Sequence, residues 1–247
     1  MMTSLFSHRS IRQYKSDPVP ENILKEIISA GTRASNTGNM QLYSVVITCD
    51  KENKAKLAEY NFNQPSIVQS PIALTICADI HRFSRWCECR NANGGYNTLL
   101  WLISSVLDAS LFSQNICLAA EEKGLGICYL GSTMYSMQEV IDLLKLPKGV
   151  IPITTITMGY PAESPELTER LPVEAVIHEE TYKEYTSECI DELYSEIESM
   201  TSSKEFVEEN HVKNLAQVYT DVRYTKKDSI EYSKKMLEIL RKQGFDL

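Results

Sequence analysis

Gly124-Leu125-Gly126-Ile127-Cys128-Tyr129-Leu130-Gly131-Ser132 is the stretch from which the fold is read. The apolar run 99–118 precedes it. Gly124 is a natural stop for a long helix, because glycine takes the left-handed conformation without a Cβ penalty. Residues 125–130 then spell a short, buried strand. Gly131-Ser132 ends it where a planar group can approach main-chain amides unobstructed by a Cβ. A long helix, a tight stop, a strand and an open turn in direct succession mark a mixed α and β protein.

Working outward, residues 43–49, 72–78 and 151–158 read as further strands. The second follows Pro71 and is apolar on both faces, as a central strand would be. Helices are expected at 21–30, 51–60 and 136–144, the first with Ile23, Leu24, Ile27 and Ile28 on one face. Residues 81–97, with their charges, two cysteines and Asn93-Gly94-Gly95, read as a mobile loop or lid. After Pro172 the chain turns helical: Tyr182, Tyr185, Cys189, Leu193 and Ile197 keep helical spacing, and helices are expected at 204–219 and 228–243.

The 247 residues carry a net charge of −8, which speaks against a general nucleic-acid binder, since such proteins show a basic stripe. The seven cysteines are odd in number and sit mostly in apolar runs, the pattern of free thiols in the cytoplasm. Cys87-Glu88-Cys89 lacks metal-ligand spacing, so no metal site is expected. Residues 1–12 lack the apolar core of a signal peptide. The run 99–118 contains Asp108 and several serines that hydrocarbon would penalise, so it reads as a buried helix and not a membrane span.

Four clusters carry chemistry. His8-Arg9-Ser10-Ile11-Arg12 offers two guanidiniums, an imidazole and a hydroxyl, a set able to clamp a phosphate, although short basic runs are common on surfaces. Residues 33–41, with Ser35, Asn36 and Thr37, present small donors suited to polyol hydroxyls. The opening stretch ends in Tyr129, Leu130, Gly131 and Ser132. Finally, Arg170 stands in a proline-bounded loop, 165–172. The sequence contains no dinucleotide glycine turn, P-loop, nucleophile elbow or zinc-protease motif, so any hard chemistry belongs to a cofactor.

In this order the four clusters resemble the nitroreductase family, in particular its branch of larger flavin reductases and oxygen-insensitive NADPH nitroreductases. The marks are His-Arg-Ser-x-Arg at 8–12, Gly-Leu-Gly with Tyr-Leu-Gly-Ser at 124–132, Gly-Tyr-Pro-Ala at 159–162 and Arg-Leu-Pro at 170–172. The likeness runs from about Leu5 to Tyr182 and more loosely to the end. It implies an α+β fold with a central mixed, mostly antiparallel sheet flanked by helices. Residues 1–172 would form the flavin mononucleotide (FMN) core and 173–247 a helical C-terminal extension packing on the core and on a homodimer partner.

The resemblance places His8, Ser10 and Arg170 at the FMN phosphate, Arg9 among the cofactor-binding residues beside them, and Arg12 at the N1 and O2 edge of the ring. It places Ser35, Asn36 and Thr37, with Gln64 or Gln69, at the ribityl chain and ring edge, and Tyr129, Leu130, Gly131 and Ser132 behind the ring near N5. Arg12 and Gly131 are thus the residues expected closest to the chemistry. The implied activity is ping-pong transfer of electrons from NADPH or NADH to a nitroaromatic, quinone or flavin. A flavin carrier or regulator without turnover, or a dehalogenating or flavin-processing relative, remains open on the same residues. One departure stands out: relatives often carry Lys where this chain has Thr168, two residues before Arg170.

Overall fold

The computed structural model describes residues 3–247, with side chains from Leu5 onward; Met1 and Met2, part of the stretch read for a signal peptide, lie outside the described residues. Four strands, β1 (Tyr43–Thr48), β2 (Ile72–Asp79), β3 (Gly126–Leu130) and β4 (Val150–Gly159), form one sheet in the order β1-β2-β4-β3. All three pairings are antiparallel, and parallel contact among the described residues is confined to isolated bridges, Ser10 with Ile127 and Thr98 with Asp246. Strand β2 is buried along its whole length, as its two-faced apolar pattern requires.

The helices of this half are α1 (Thr3–Ser7), α2 (Glu21–Gly31), α3 (Lys51–Tyr60), α4 (Pro65–Gln69), α5 (His81–Glu88), α6 (Leu99–Glu122) and α7 (Met137–Leu144). Helix α6 is long and apolar enough to cross a membrane, yet its Ala109, Phe112, Ile116, Cys117 and Ala120 are buried in the main core with Leu74, Ile76, Ile156 and Met158 of the sheet. Phe112 stacks on Tyr43 of β1 with ring centroids 4.2 Å apart. Gly31 ends α2 against this helix: a Cβ there would stand 2.6 Å from Ile116. Gly124, with φ of +76°, terminates α6 as its position in the sequence suggests.

Two expectations need correction. Residues 81–88 are helix α5 and not a loop. The main-chain N–H of Arg82 is capped by Asp79, 3.1 Å away, and Phe83, Trp86, Tyr96 and Trp101 form a chain of ring contacts that orders the segment. The helix expected at 204–219 is broken: α8 (Ser187–Ser199) is followed by α9 (Thr201–Glu209), a left-handed His211, a short α10 (Leu215–Gln217) and a π-helical turn, Val218–Arg223. The chain forms two compact units, Met1–Leu167 with Lys234–Leu247, and Thr168–Ser233.

The last turns of α11 (Lys226–Lys242) explain that return. Leu240 and Phe245 are buried with Ala78, Leu102, Met137, Ile141 and Ile151. The side chain of Gln243 donates to the carbonyl of Val150 at 2.8 Å, and the Asp246 amide donates to Asn97 O at 2.8 Å. Apolar burial and main-chain pairing thus bind the final fourteen residues to the sheet unit.

Candidate functional site

The clamp segment 8–12 is threaded between β3 and the chain leaving β4. Ile11 donates its N–H to Ile127 O at 2.8 Å, Lys15 to Tyr160 O at 2.8 Å, and Ala162 to Gln13 O at 2.9 Å. Glu163 accepts from the amides of Arg12 and Gln13 at 2.6 and 3.0 Å. Gly126 is what lets the segment lie so close, since a Cβ there would stand 2.6 Å from Ile11. The Tyr14 hydroxyl is buried among Ile11 O, at 2.5 Å, and the Thr157 hydroxyl, at 2.7 Å; burial pushes its pKa well up and keeps it a neutral staple.

Because Ser10 bridges Ile127 in parallel, residue 12 runs toward the Tyr129 end of β3. The Cys128 thiol is raised by burial, while the Arg12 charge opposes that rise and Glu163 adds to it. At 3.3 Å per residue, the turn at Gly131 lies about 13 Å along the strand from the position of Ser10. The geometry suits an elongated ligand with an anionic end at 8–10 and a planar end at 129–132.

Helix α6 organises the site along its length, anchoring three separate segments by polar side chains. Asp108, fully buried, accepts from the Thr37 N–H at 2.8 Å, the Thr37 hydroxyl at 2.9 Å and the Leu42 N–H at 3.2 Å. Ser113 accepts from the Tyr129 hydroxyl at 2.9 Å. Glu121 meets His8 Nδ1 at 2.5 Å. Asn36 braces its own loop by accepting from Gln41 N at 3.3 Å, and Ser35 is exposed.

The turn after β3 is fixed from the other side. Ser132 and Thr133 hydroxyls both reach Asn61 Oδ1, at 2.7 and 3.0 Å, and Asn61 is fully buried. Thr133 continues to Thr155 at 2.9 Å, so a run of buried hydroxyls backs the turn from within the sheet. Gln64 is half-buried at the start of α4, three residues past Asn61. Gln69 is exposed at the other end of that helix, five residues on and so about 7.5 Å away along its axis. Gly131 is exposed, with nothing within 4 Å of where a Cβ would stand.

Residues 5–160 match the nitroreductase family. The chain belongs to the nitroreductase family. Among its relatives, the FMN reductase (NAD(P)H) of Bacillus subtilis (strain 168) is 35% identical over 257 residues, covering 99% of this chain and 97% of the relative. A solved chain from Bacteroides fragilis NCTC 9343 is 48% identical with a TM-score of 0.97, over 99% of this chain and 100% of the other. The NADPH:FMN oxidoreductase from Vibrio harveyi, solved in complex with NAD+, is 25% identical with a TM-score of 0.76, over 95% and 96% of the two chains.

Nitroreductase membership makes FMN the group to test against these residues, and they fit it. Arg9 Nε is buried and unpartnered, in a segment where its Nη1 donates to Ser164 at 3.3 Å, so the clamp holds an unused cationic donor suited to an anion. At the other end the open face of Gly131 leaves room for a ring. Arg170 belongs to the second unit, where it is exposed and its Nη1 donates to the carbonyls of Thr168 and Glu169 at 2.9 and 3.0 Å. The other expected residues all lie in the first unit.

The sequence reading missed Asn61, Asp108, Ser113, Glu121 and Glu163. Asp108 had left a signal, because a carboxylate inside an apolar helix must find donors. Glu121 had left a weaker one: with Glu122 it puts two anions in the last turn of α6, where the helix dipole disfavours them.

Proposed function

We infer that this chain is an FMN-dependent oxidoreductase that takes electrons from NADPH or NADH and delivers them to a small organic acceptor, a nitroaromatic, quinone or flavin. The observation that carries the reading is the unused Arg9 donor in a clamp laid beside β3, whose far end opens at Gly131. FMN, when bound, supplies two-electron transfer from a nicotinamide to an acceptor. His8, Arg9 and Ser10 hold its phosphate. Arg12 places positive charge at the ring edge that gains electron density, and its position is held by Glu163 through the main chain. Tyr129, Leu130, Gly131 and Ser132 back the ring, with Ser132 oriented by Asn61. Ser35, Asn36 and Thr37 line the ribityl side, with Thr37 held to α6 by Asp108.

We read the enzyme as a homodimer. Leu100, Ile103, Leu107 and Leu111 of α6 are 67, 59, 57 and 40% exposed at helical spacing, a continuous apolar stripe that a second copy would cover. All seven cysteines are unpaired, which supports a cytoplasmic setting. The direct test is optical. Protein mixed with FMN and desalted should stay yellow, bleach anaerobically with NADPH or NADH, and regain colour with a quinone or nitroaromatic. A colourless desalted protein would overturn the reading. A yellow protein that neither nicotinamide bleaches would leave only a flavin carrier.

A further inference from the structure

We propose that Glu121 is a positioning residue that makes His8 the proton-carrying member of the clamp, so that a phosphate monoester binds with uptake of a proton. The inference rests on His8 facing the FMN phosphate, as read above. Its starting point is the 2.5 Å contact between His8 Nδ1 and Glu121 Oε1, in which the Glu121 side chain is only 13% exposed. A carboxylate can only accept, so the shared proton belongs to Nδ1 and the ring has one nitrogen, Nε2, left for a ligand. Glu121 Oε2 is buried without a partner, so among the described residues His8 is the hydrogen-bond partner of this carboxylate.

A neutral ring so held turns a lone pair at Nε2 toward the phosphate, and two acceptors facing each other repel. The conflict is removed by one proton, placed either on Nε2, giving an imidazolium, or on the phosphate, giving a monoanion. Both forms have the same proton count, so the conclusion does not depend on which is populated. The charges that face this pair come from α6 and from the clamp. Glu121 and Glu122 lie in the last turn of α6, the negative end of its dipole. The neighbouring Lys123 is paired with Glu26 at 2.6 Å. Cys117, one turn before Glu121, is pushed up to about 12, chiefly by burial, and stays a neutral thiol. On the clamp itself the other charges are Arg9, bonded to Ser164, and Arg12, whose main-chain N–H is held by Glu163.

Replacing Glu121 by glutamine inverts the logic. An amide can donate to Nδ1, which leaves a neutral ring with its hydrogen on Nε2, aimed at the phosphate, and no proton is needed. The experiment is calorimetric titration of FMN into flavin-free full-length protein at pH 8.5, in buffers of differing ionisation enthalpy, with riboflavin as the probe lacking phosphate. The phosphate monoester of free FMN is a dianion at this pH, its second pKa lying near 6. Wild type should take up about one proton with FMN and none with riboflavin, and its Kd for FMN should rise about tenfold per pH unit in this range. Glu121→Gln should take up none and show a flat Kd. His8→Gln, a neutral donor at the same place, should behave likewise and serves if Glu121→Gln fails to fold. FMN bound by wild type without proton uptake, or uptake retained in either variant, would overturn the inference while leaving the flavin reading intact. Failure to bind FMN at all would overturn both.

Discussion

Asp108→Ala isolates the tie between the core and the ribityl loop. Asp108 is 1% exposed and accepts three hydrogen bonds, from the Thr37 N–H, the Thr37 hydroxyl and the Leu42 N–H. Hydrogen bonds to a charged group are worth about 1.5–3 kcal/mol each, and a buried donor left without a partner costs about 1–3 kcal/mol. The contributions are not additive, because the loop can relax and admit water; we expect a net loss of about 4 kcal/mol, at the scale of breaking a buried network. For a chain of this length each kcal/mol moves Tm by roughly 2–4 °C, so the variant should melt about 8–16 °C lower. Asp108→Asn keeps an acceptor for Thr37 but sets an NH2 against the Leu42 N–H, and should lose about 2 kcal/mol. Thr37→Val removes one bond and should lose about 1.5 kcal/mol. The assay is thermal and urea unfolding by circular dichroism, with FMN affinity measured on the folded fraction, which should fall at least several-fold for Asp108→Ala. An alanine variant melting within about 2 °C of wild type would refute the argument that this carboxylate holds residues 37–42.

Three further outcomes follow from the same structure. Gly126→Ala should destabilise by about 1–3 kcal/mol and weaken FMN binding, since its Cβ would stand 2.6 Å from Ile11, whereas Gly131→Ala, with open space at its Cβ, should leave stability within about 0.5 kcal/mol; unfolding curves and flavin titration of both variants read this, and a reversed order would defeat it. Ile103→Glu with Leu107→Glu should shift sedimentation from dimer to monomer with the fold retained, and a wild type that sediments as a flavin-loaded monomer would remove the premise. Arg223, which stands over the Phe206 ring at 4.2 Å, and Lys226-Lys227 at the start of α11 put three cations close in sequence on an acidic chain, a group able to attract the 2′-phosphate that NADPH carries and NADH lacks; changing all three to alanine should lower kcat/KM for NADPH more than for NADH, most clearly at low salt, and equal losses would mean that these cations do not read the 2′-phosphate.

Much of the fold was legible before any coordinates. Residues 72–78 are apolar but for Thr75, and residues 151–158 interleave isoleucine and methionine with threonine; the strands found there differ by at most one residue at each end, because apolar and β-branched side chains suit a buried strand. Gly124 announced the end of α6, since only a residue at ease with positive φ can close a helix so tightly. The clusters at 8–12 and 124–132 were visible for a related reason: phosphate clamping and close backbone approach demand particular residue types in a short span. Segment 81–88 was not legible, because its helix is ordered by ring contacts reaching from Phe83 to Tyr96 and on to Trp101, which no local period records.

What the sequence by itself determined is therefore local and compositional: which stretches must be buried, where the chain must turn, and which residues can hold an anion or lie under a flat ring. The tertiary structure alone decided who meets whom. Asp108 reaches Thr37 across 71 positions, Glu121 reaches His8 across 113, and Gln243 reaches Val150 across 93. Even where one member stands out locally, as Asp108 does in its apolar helix, nothing near it in the sequence names the partner. Periodicity reports the face of a helix that is buried, but hydrogen-bond partners at such separations are set by how helix, sheet and clamp segment pack in three dimensions, and by the rule that a polar group taken from water must be satisfied where it lands.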